Sequence, residues 1–190
     1  RKQREQHRQR RSNSGIPVIS LVGYTNAGKS SLLNSLSKAG VVARDQLFST
    51  LDPVTRRVTL NDGTPVLITD TVGFIQKLPT GLVAAFRATL EELEEATVLL
   101  HVVDISHPNA PEHVDVVENI LSDLHLTDKH RVLALNKADL LDPGADRGMM
   151  AGIGETKAVV TSAVSGLGLG ELLDTLQAVA HEAMAASGAV

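Results

Sequence analysis

The sequence predicts an α/β fold, a doubly wound sheet of about six mostly parallel strands with helices on both faces. Short apolar runs alternate along the chain with segments whose apolar residues recur every three or four positions, the spacings typical of buried strands and amphipathic helices. A glycine-rich loop joins the first such strand to the first such helix. With 190 residues, 43% of them hydrophobic, the chain is long enough for a single sizeable core.

Each element has its own signal in the sequence. The apolar run 16–22 predicts a buried strand, and Leu32, Leu33 and Leu36 mark one face of a helix at 29–39. The turn residues 61–63, Asn-Asp-Gly, predict a hairpin, so the second strand should run antiparallel to the third. The remaining strands are predicted near 56–60, 65–70, 97–104, 131–136 and 157–162, and the remaining helices near 81–95, 111–125 and 169–186.

The chain divides into a basic arm, residues 1–15, and one folded domain, residues 16–190. The first 11 residues carry six Lys or Arg and one Glu, a net charge of +5, and include no apolar side chain with which to bury a face. Two interpretations stay open: the arm contacts RNA phosphates, or it is the polar end of a linker helix from a domain upstream. Arg1 at the first position favours a fragment of a longer protein.

Composition excludes several classes of protein. The chain has no cysteine, so it cannot form a disulfide framework or a thiolate metal site, and a cytoplasmic location is expected. No apolar run approaches the roughly 18 residues that span a bilayer, and no stable membrane insertion is expected. The basic arm followed by the run 16–22 resembles a signal peptide only superficially, because the run is short and continues into the glycine-rich loop.

That loop fills every fixed position of the phosphate-binding pattern G-x-x-x-x-G-K-[ST], in the required place between a strand and a helix. Its backbone N–H groups and the helix N-terminus can surround phosphates, Lys29 can reach the terminal phosphates, and the Ser30 hydroxyl can bind Mg²⁺. The pattern therefore predicts binding of a nucleoside triphosphate. The predicted phosphate-binding residues are Gly23, Tyr24, Thr25, Asn26, Ala27, Gly28, Lys29, Ser30 and Ser31.

The nucleobase is predicted by Asn136, Lys137, Ala138 and Asp139, which directly follow a strand. A carboxylate there can accept hydrogen bonds from both the N1–H and the exocyclic amine of guanine, and adenine offers no such pair of donors. A site built on such hydrogen bonds rejects analogues that lack them, because its polar groups would be left unpaired. The predicted substrate is GTP.

A third motif lies between these two, at Asp70, Thr71, Val72 and Gly73 after the strand 65–70. Asp70 can hold Mg²⁺ through a water molecule, and the Gly73 N–H can contact the γ-phosphate. Loss of that phosphate would then change the loop, as in a molecular switch.

Together the motifs resemble the GTPase domain of the HflX family, ribosome-associated bacterial GTPases of the translation-factor-like P-loop group. The resemblance runs from about residue 16 to the end of the chain. It implies the P-loop GTPase fold, hydrolysis of GTP to GDP and phosphate, and binding to the large (50S) ribosomal subunit and its rRNA, with splitting or rescue of stalled ribosomes. It further implies an additional N-terminal domain, and a monomer without a DNA partner is expected. The segments that carry it are GYTNAGKSSLLN, QLFSTLDPVTRRV, DTVGFIQKLPTGLVAAFRATLEEL, NKADL and TSAVSG.

The resemblance also assigns residues to roles. It implies that Thr50 supplies the second hydroxyl ligand to Mg²⁺ when GTP is bound, with Thr55 as the alternative. Asn26 stands where potassium-dependent relatives coordinate a monovalent cation, and the alternative that Asn26 only holds the loop by local hydrogen bonds stays open. The first switch corresponds to Phe48, Ser49, Thr50, Leu51 and Asp52, and the loop behind the guanine to Ser162, Ala163 and Val164.

The residues after the third motif predict slow hydrolysis without a partner. Many GTPases place a glutamine there to orient the attacking water, but this chain has Phe74 and Ile75, which cannot hydrogen-bond it. Arg56 and Arg57 are either internal arginine fingers or contacts to solvent or a partner. An alternative function is a GTP-dependent binding module or switch acting off the ribosome, in RNA modification or membrane-linked assembly. The catalytic candidates are Lys29, Thr50, Gly73 and Asn26, the last as a K⁺ ligand.

Overall fold

The computed structural model describes residues 15–37, 54–74, 92–141 and 157–187, and these contain one six-stranded sheet. The strand order is β2-β3-β1-β4-β5-β6, with β2 antiparallel to β3 and every other neighbouring pair parallel. The predicted fold class is confirmed. The strands are β1 (Val18–Val22), β2 (Val54–Thr59), β3 (Pro65–Asp70), β4 (Val98–Asp104), β5 (His130–Asn136) and β6 (Lys157–Val160).

Helices cover both faces of the sheet, as predicted. Helices α1 (Lys29–Ser37) and α3 (Leu169–Ser187) pack against one face, where Leu32 and Leu176 belong to the larger buried cluster. Helix α2 (Ala110–Asp123) lies on the other face and buries Val117 and Leu121. Of the helix predicted at 81–95, residues 92–95 are described: 92–94 are helical and 95 is in a turn. Among the described residues, no helix combines the length and the apolar character that a membrane span requires.

The central strands explain the continuous apolar runs of the sequence. All five residues of β1 are buried, and so are the first six of β4, because both strands have neighbours on each side and helices above and below. Burial of these side chains supplies most of the driving force for folding.

The hairpin predicted at 61–63 joins β2 to β3. Leu60 N–H donates to the Thr64 carbonyl at 2.9 Å, and Gly63 has φ +86°, a conformation that costs glycine little. Strand β2 begins at Val54, two residues earlier than the sequence predicted, and so includes Thr55. Thr55 pairs with Thr69 across the ladder, with their hydroxyl oxygens 3.0 Å apart.

The carboxyl ends of β1, β3, β4 and β5 meet at one edge of the sheet, and the three sequence motifs follow β1, β3 and β5 there. The predicted first switch, Phe48, Ser49, Thr50, Leu51 and Asp52, lies outside the described residues, as does the basic arm up to residue 14.

Candidate functional site

Two glycines shape the loop between β1 and α1, because a side chain at either position would strike a neighbour. A Cβ on Gly23 would lie 2.4 Å from the Val102 carbonyl oxygen of β4. A Cβ on Gly28, which has φ +97°, would lie 2.4 Å from the amide nitrogen of Asn136. The first turn of α1 then starts directly, with Leu32 N–H donating to the Gly28 carbonyl at 2.8 Å. The loop is thereby pressed against the ends of β4 and β5.

Lys29 places its ammonium inside this loop. Its Nζ donates to the carbonyl oxygens of Gly23 and Tyr24 at 3.2 and 3.1 Å, and the residue is only 6% exposed. Burial lowers the pKa of Lys29 from its ordinary value to about 8, against the opposing attraction of the Asp70 carboxylate. An anion bound in the loop would favour the charged form.

Two side chains with oxygen atoms that can bind a metal ion meet beside Lys29. The Ser30 hydroxyl donates to Asp70 Oδ2 at 2.5 Å, bringing the first and third motifs together. A hydroxyl and a carboxylate oxygen are hard ligands of the kind that Mg²⁺ prefers, so this pair fits the predicted ion. Gly73 lies close by, since a Cβ there would be 3.1 Å from Lys29 Nζ and 2.8 Å from Thr25 Cα.

The Asn136 side chain ties three loops together while being only 1% exposed. Its Nδ2 donates to the Ala27 carbonyl of the phosphate loop at 3.1 Å. Its Oδ1 accepts from Ala163 N–H at 3.1 Å and from the Thr161 hydroxyl at 3.5 Å. The phosphate loop, the Asn136 motif and the loop at 162–164 therefore form one unit.

The predicted base-reading residues lie at the outer side of this unit. Asp139 is exposed, and the Ser162 hydroxyl donates to its Oδ1. The backbone N–H of Ala138 bonds to the Thr161 carbonyl at 3.1 Å, and the Val164 side chain is 86% exposed. Lys137 adopts a left-handed backbone conformation at φ 65°.

Several other candidates are placed less centrally. Asn26, in the loop between β1 and α1, is exposed and has φ 62°. The Thr55 hydroxyl is hydrogen-bonded to that of Thr69. Because Thr69 and Asp70 are consecutive residues of β3, their side chains point to opposite faces of the sheet, and Thr55 lies on the face away from the Asp70 carboxylate. Arg56 and Arg57 follow in β2, paired with Ile68 and Leu67, further from the motif-bearing edge than Val54, which pairs with Asp70.

The side chain of Phe74 lies in the core, while its backbone is bonded to the phosphate loop. Two backbone hydrogen bonds join Phe74 to that loop: Thr25 N–H donates to the Phe74 carbonyl at 2.9 Å, and Phe74 N–H donates to the Gly23 carbonyl at 3.0 Å. Its side chain is fully buried in the cluster that contains Val117 and Leu121 of α2. Phe74 thus belongs to the core in this conformation.

Sequence reasoning missed two supporting residues. Ser35 of α1 donates its hydroxyl to the Ala163 carbonyl at 2.6 Å. Asp104 forms an ion pair with Lys137, with Oδ2 and Nζ 2.8 Å apart. Asp104 ends a predicted strand whose carboxyl end lies at the motif-bearing edge, and this position was a usable signal.

Comparison with known proteins bears on the identity of this site. Residues 18–137 match the family model described as 50S ribosome-binding GTPase. The chain is 46% identical over 176 residues to GTPase HflX of Caldanaerobacter subterraneus subsp. tengcongensis, and 43% identical over 175 residues to GTPase HflX of Escherichia coli. This chain belongs to the HflX family of GTPases. The alignments cover 93% and 92% of the chain but only 40% and 41% of those two HflX proteins.

Solved structures bear on the fold of this HflX-family chain. A crystal structure of Era from Aquifex aeolicus, bound to GDP and AlF4⁻, matches with a TM-score of 0.73 at 24% identity, covering 86% of the chain and 56% of Era. At that identity the match establishes the P-loop GTPase fold alone.

Proposed function

We propose that this domain binds GTP with Mg²⁺ and hydrolyses it to GDP and phosphate. The observation that carries the proposal is the convergence of three motifs at one sheet edge, where Asn136 bonds both to the phosphate loop and to the loop at 162–164. The separation between phosphate and base contacts is therefore set by direct hydrogen bonds between the two parts of the site.

The phosphates would lie against the loop 23–30. The Lys29 ammonium already sits within this loop on two carbonyl oxygens, so a phosphate oxygen would meet a positioned charge. The backbone N–H groups at the start of α1 add further donors. Gly73, next to Lys29 Nζ, is placed to contact the terminal phosphate with its N–H.

Guanine would be read by the Asp139 carboxylate. Ser162 donates to Oδ1 of that carboxylate and so restrains its rotation while leaving its second oxygen and further lone pairs for the base. The Ala163 N–H is committed to Asn136, so the loop at 162–164 contributes a stable wall.

Ser30, Asp70 and Thr50 would hold Mg²⁺, with Asp70 acting through water. When bound, the ion neutralises charge on the β- and γ-phosphate oxygens. The engagement of Thr55 with Thr69 inside the sheet supports Thr50 as the switch ligand.

Hydrolysis by the isolated domain would be slow. Phe74 occupies the position where many GTPases place a water-orienting glutamine, and its side chain is buried in the core. A monovalent cation held by Asn26, or a partner, would supply the missing stabilisation of transition-state charge.

For the full-length protein, we extend the proposal to the large ribosomal subunit in the cytoplasm, with splitting or rescue of stalled ribosomes as its role. Membership of the HflX family supports this extension. In the test, purified 50S subunits are added to a steady-state GTPase assay, and stimulation is the expected result. Unchanged turnover with 50S subunits would favour the alternative of a GTP switch acting off the ribosome.

The nucleotide assignment has its own test. Lys29→Ala should abolish triphosphate binding, and Asp139→Asn should weaken GTP and improve xanthosine triphosphate, because the substitution inverts the donor and acceptor pattern facing the base. Titration with fluorescent nucleotides measures both effects. Unchanged GTP affinity in Asp139→Asn would remove the guanine assignment.

A further inference from the structure

We infer that Asp104 is a positioning residue for the guanine nucleotide: it holds the Lys137 side chain in place between the phosphate loop and the base-reading loop, and so slows nucleotide dissociation. The inference rests on the proposed function. It concerns a residue at the end of β4, outside the three motifs, and it assigns Asp104 a role that acts through Lys137.

The sheet brings the two residues together. Asp104 is the last residue of β4 and pairs in register with Asn136, the last residue of β5, so Lys137 begins the loop directly beside it. The ion pair measures 2.8 Å between Lys137 Nζ and Asp104 Oδ2. The two side chains are only 24% and 13% exposed, which limits the screening of their attraction by water.

Asp104 is itself held in place. Its other oxygen, Oδ1, accepts from the Ser106 N–H at 3.0 Å and from the Ser106 hydroxyl at 2.6 Å. Burial alone would raise the pKa of Asp104, but the bonds to Lys137 and Ser106 outweigh it and hold the pKa below its ordinary value. Both carboxylate oxygens are therefore occupied, and the carboxylate presents one fixed oxygen to the lysine.

The path of the lysine is constrained at both of its ends. Its backbone takes the left-handed conformation, φ 65° and ψ 32°, which is uncommon for residues other than glycine and sets the direction of the side chain. Its Cε lies 3.9 Å from the point where a Cβ on Gly28 would be. The methylene stem thus crosses the phosphate loop and ends on Asp104.

The position of the Lys137 stem connects the ion pair to nucleotide binding. Lys137 lies between Asn136, which fastens the phosphate loop, and Asp139, the proposed acceptor for guanine. A lysine stem offers an apolar surface on which the flat face of a base can rest while the ammonium keeps its polar partner. Without Asp104 the ammonium would turn to solvent, and the stem would lose its fixed position.

Three aromatic rings described beside Asp104 give Lys137 no substitute partner. Asp104 lines a cavity of about 310 Å³ together with His107 and His113, whose rings lie 4.5 Å apart, and Tyr24, which stacks on His113 at 3.8 Å. His107 Nδ1 accepts the Asn109 N–H at 3.1 Å. None of these three rings carries an anionic group that could replace the carboxylate.

The test measures dissociation of fluorescent GDP by stopped flow. Asp104→Asn should release GDP about tenfold faster than wild type, the size expected when a hydrogen bond to a charged partner is lost. The matched control is Asp115→Asn, the same change at an exposed position of α2, which should leave the rate unchanged. Equal rates in wild type and Asp104→Asn would overturn the inference.

A double-mutant cycle separates positioning from a general loss of stability. Lys137→Met should itself speed release, and adding Asp104→Asn to it should change the rate no further, because Asp104 acts through the lysine. Multiplicative effects of the two substitutions would overturn the inference. If wild type binds no guanine nucleotide, the proposed function fails as well; if wild type binds and only the variants behave otherwise than expected, the inference alone fails.

Discussion

The substitution Gly28→Ala should destabilise the domain far more than the same substitution at Gly63, because it adds a steric clash to backbone strain. Gly28 has φ +97°, where an L-residue is strained. Its added Cβ would also lie 2.4 Å from Asn136 Nδ2, and Asn136 is the side chain that joins the loops of the site.

The two effects can be estimated separately. Backbone strain at positive φ costs about 1–2 kcal/mol. Displacing the Asn136 amide leaves the buried Ala27 carbonyl without its partner, at a cost of about 1–3 kcal/mol. The sum, about 2–5 kcal/mol, is a large share of the 5–15 kcal/mol or so by which a domain of this kind is stable.

Urea denaturation of the nucleotide-free domain measures the free energy of unfolding. Gly63→Ala is the matched control, since Gly63 also has positive φ, +86°, but a Cβ there meets nothing within 4 Å. It should lose only the strain of about 1–2 kcal/mol. Equal losses in the two variants would refute the argument from Asn136, and so would an undiminished effect of Gly28→Ala in an Asn136→Ala background.

Three further predictions follow from the same site. Triphosphate affinity should fall as pH rises through about 8, the pKa of Lys29, because above that pH the free protein must take up a proton to bind. Binding titrations from pH 7 to 10 should show at most about a tenfold loss of affinity per pH unit. The variant Lys29→Arg should lack this pH dependence, because arginine stays charged over the whole range. Hydrolysis should rise when K⁺ replaces Na⁺ at equal ionic strength, and Asn26→Ala should remove the difference; equal wild-type rates would leave Asn26 a structural role only. In a GTPase assay titrated with Mg²⁺, Thr50→Ala should lower turnover at least tenfold while Thr55→Ala changes it little, and the reverse order would make Thr55 the switch ligand.

Local patterns in the sequence were sufficient for the order of elements and for the identities of most candidate site residues. Strand and helix periodicities depend on neighbouring positions, and the phosphate loop carries its glycines, Lys29 and Ser30 within eight consecutive residues. The hairpin at 61–63 is likewise a property of its own turn residues. The parallel sheet then follows, because strands alternating with helices cross over to lie side by side.

Only the tertiary structure decided which distant residues support the site. The bond from Asn136 to Ala27 joins positions 109 residues apart, and the ion pair of Asp104 with Lys137 depends on β4 and β5 being neighbours in register. The burial of the Phe74 side chain beneath α2 likewise depends on how that helix packs. Such contacts arise from strand order, register and the packing of helices on the sheet, which no short stretch of sequence encodes, since each needs two separate segments to meet.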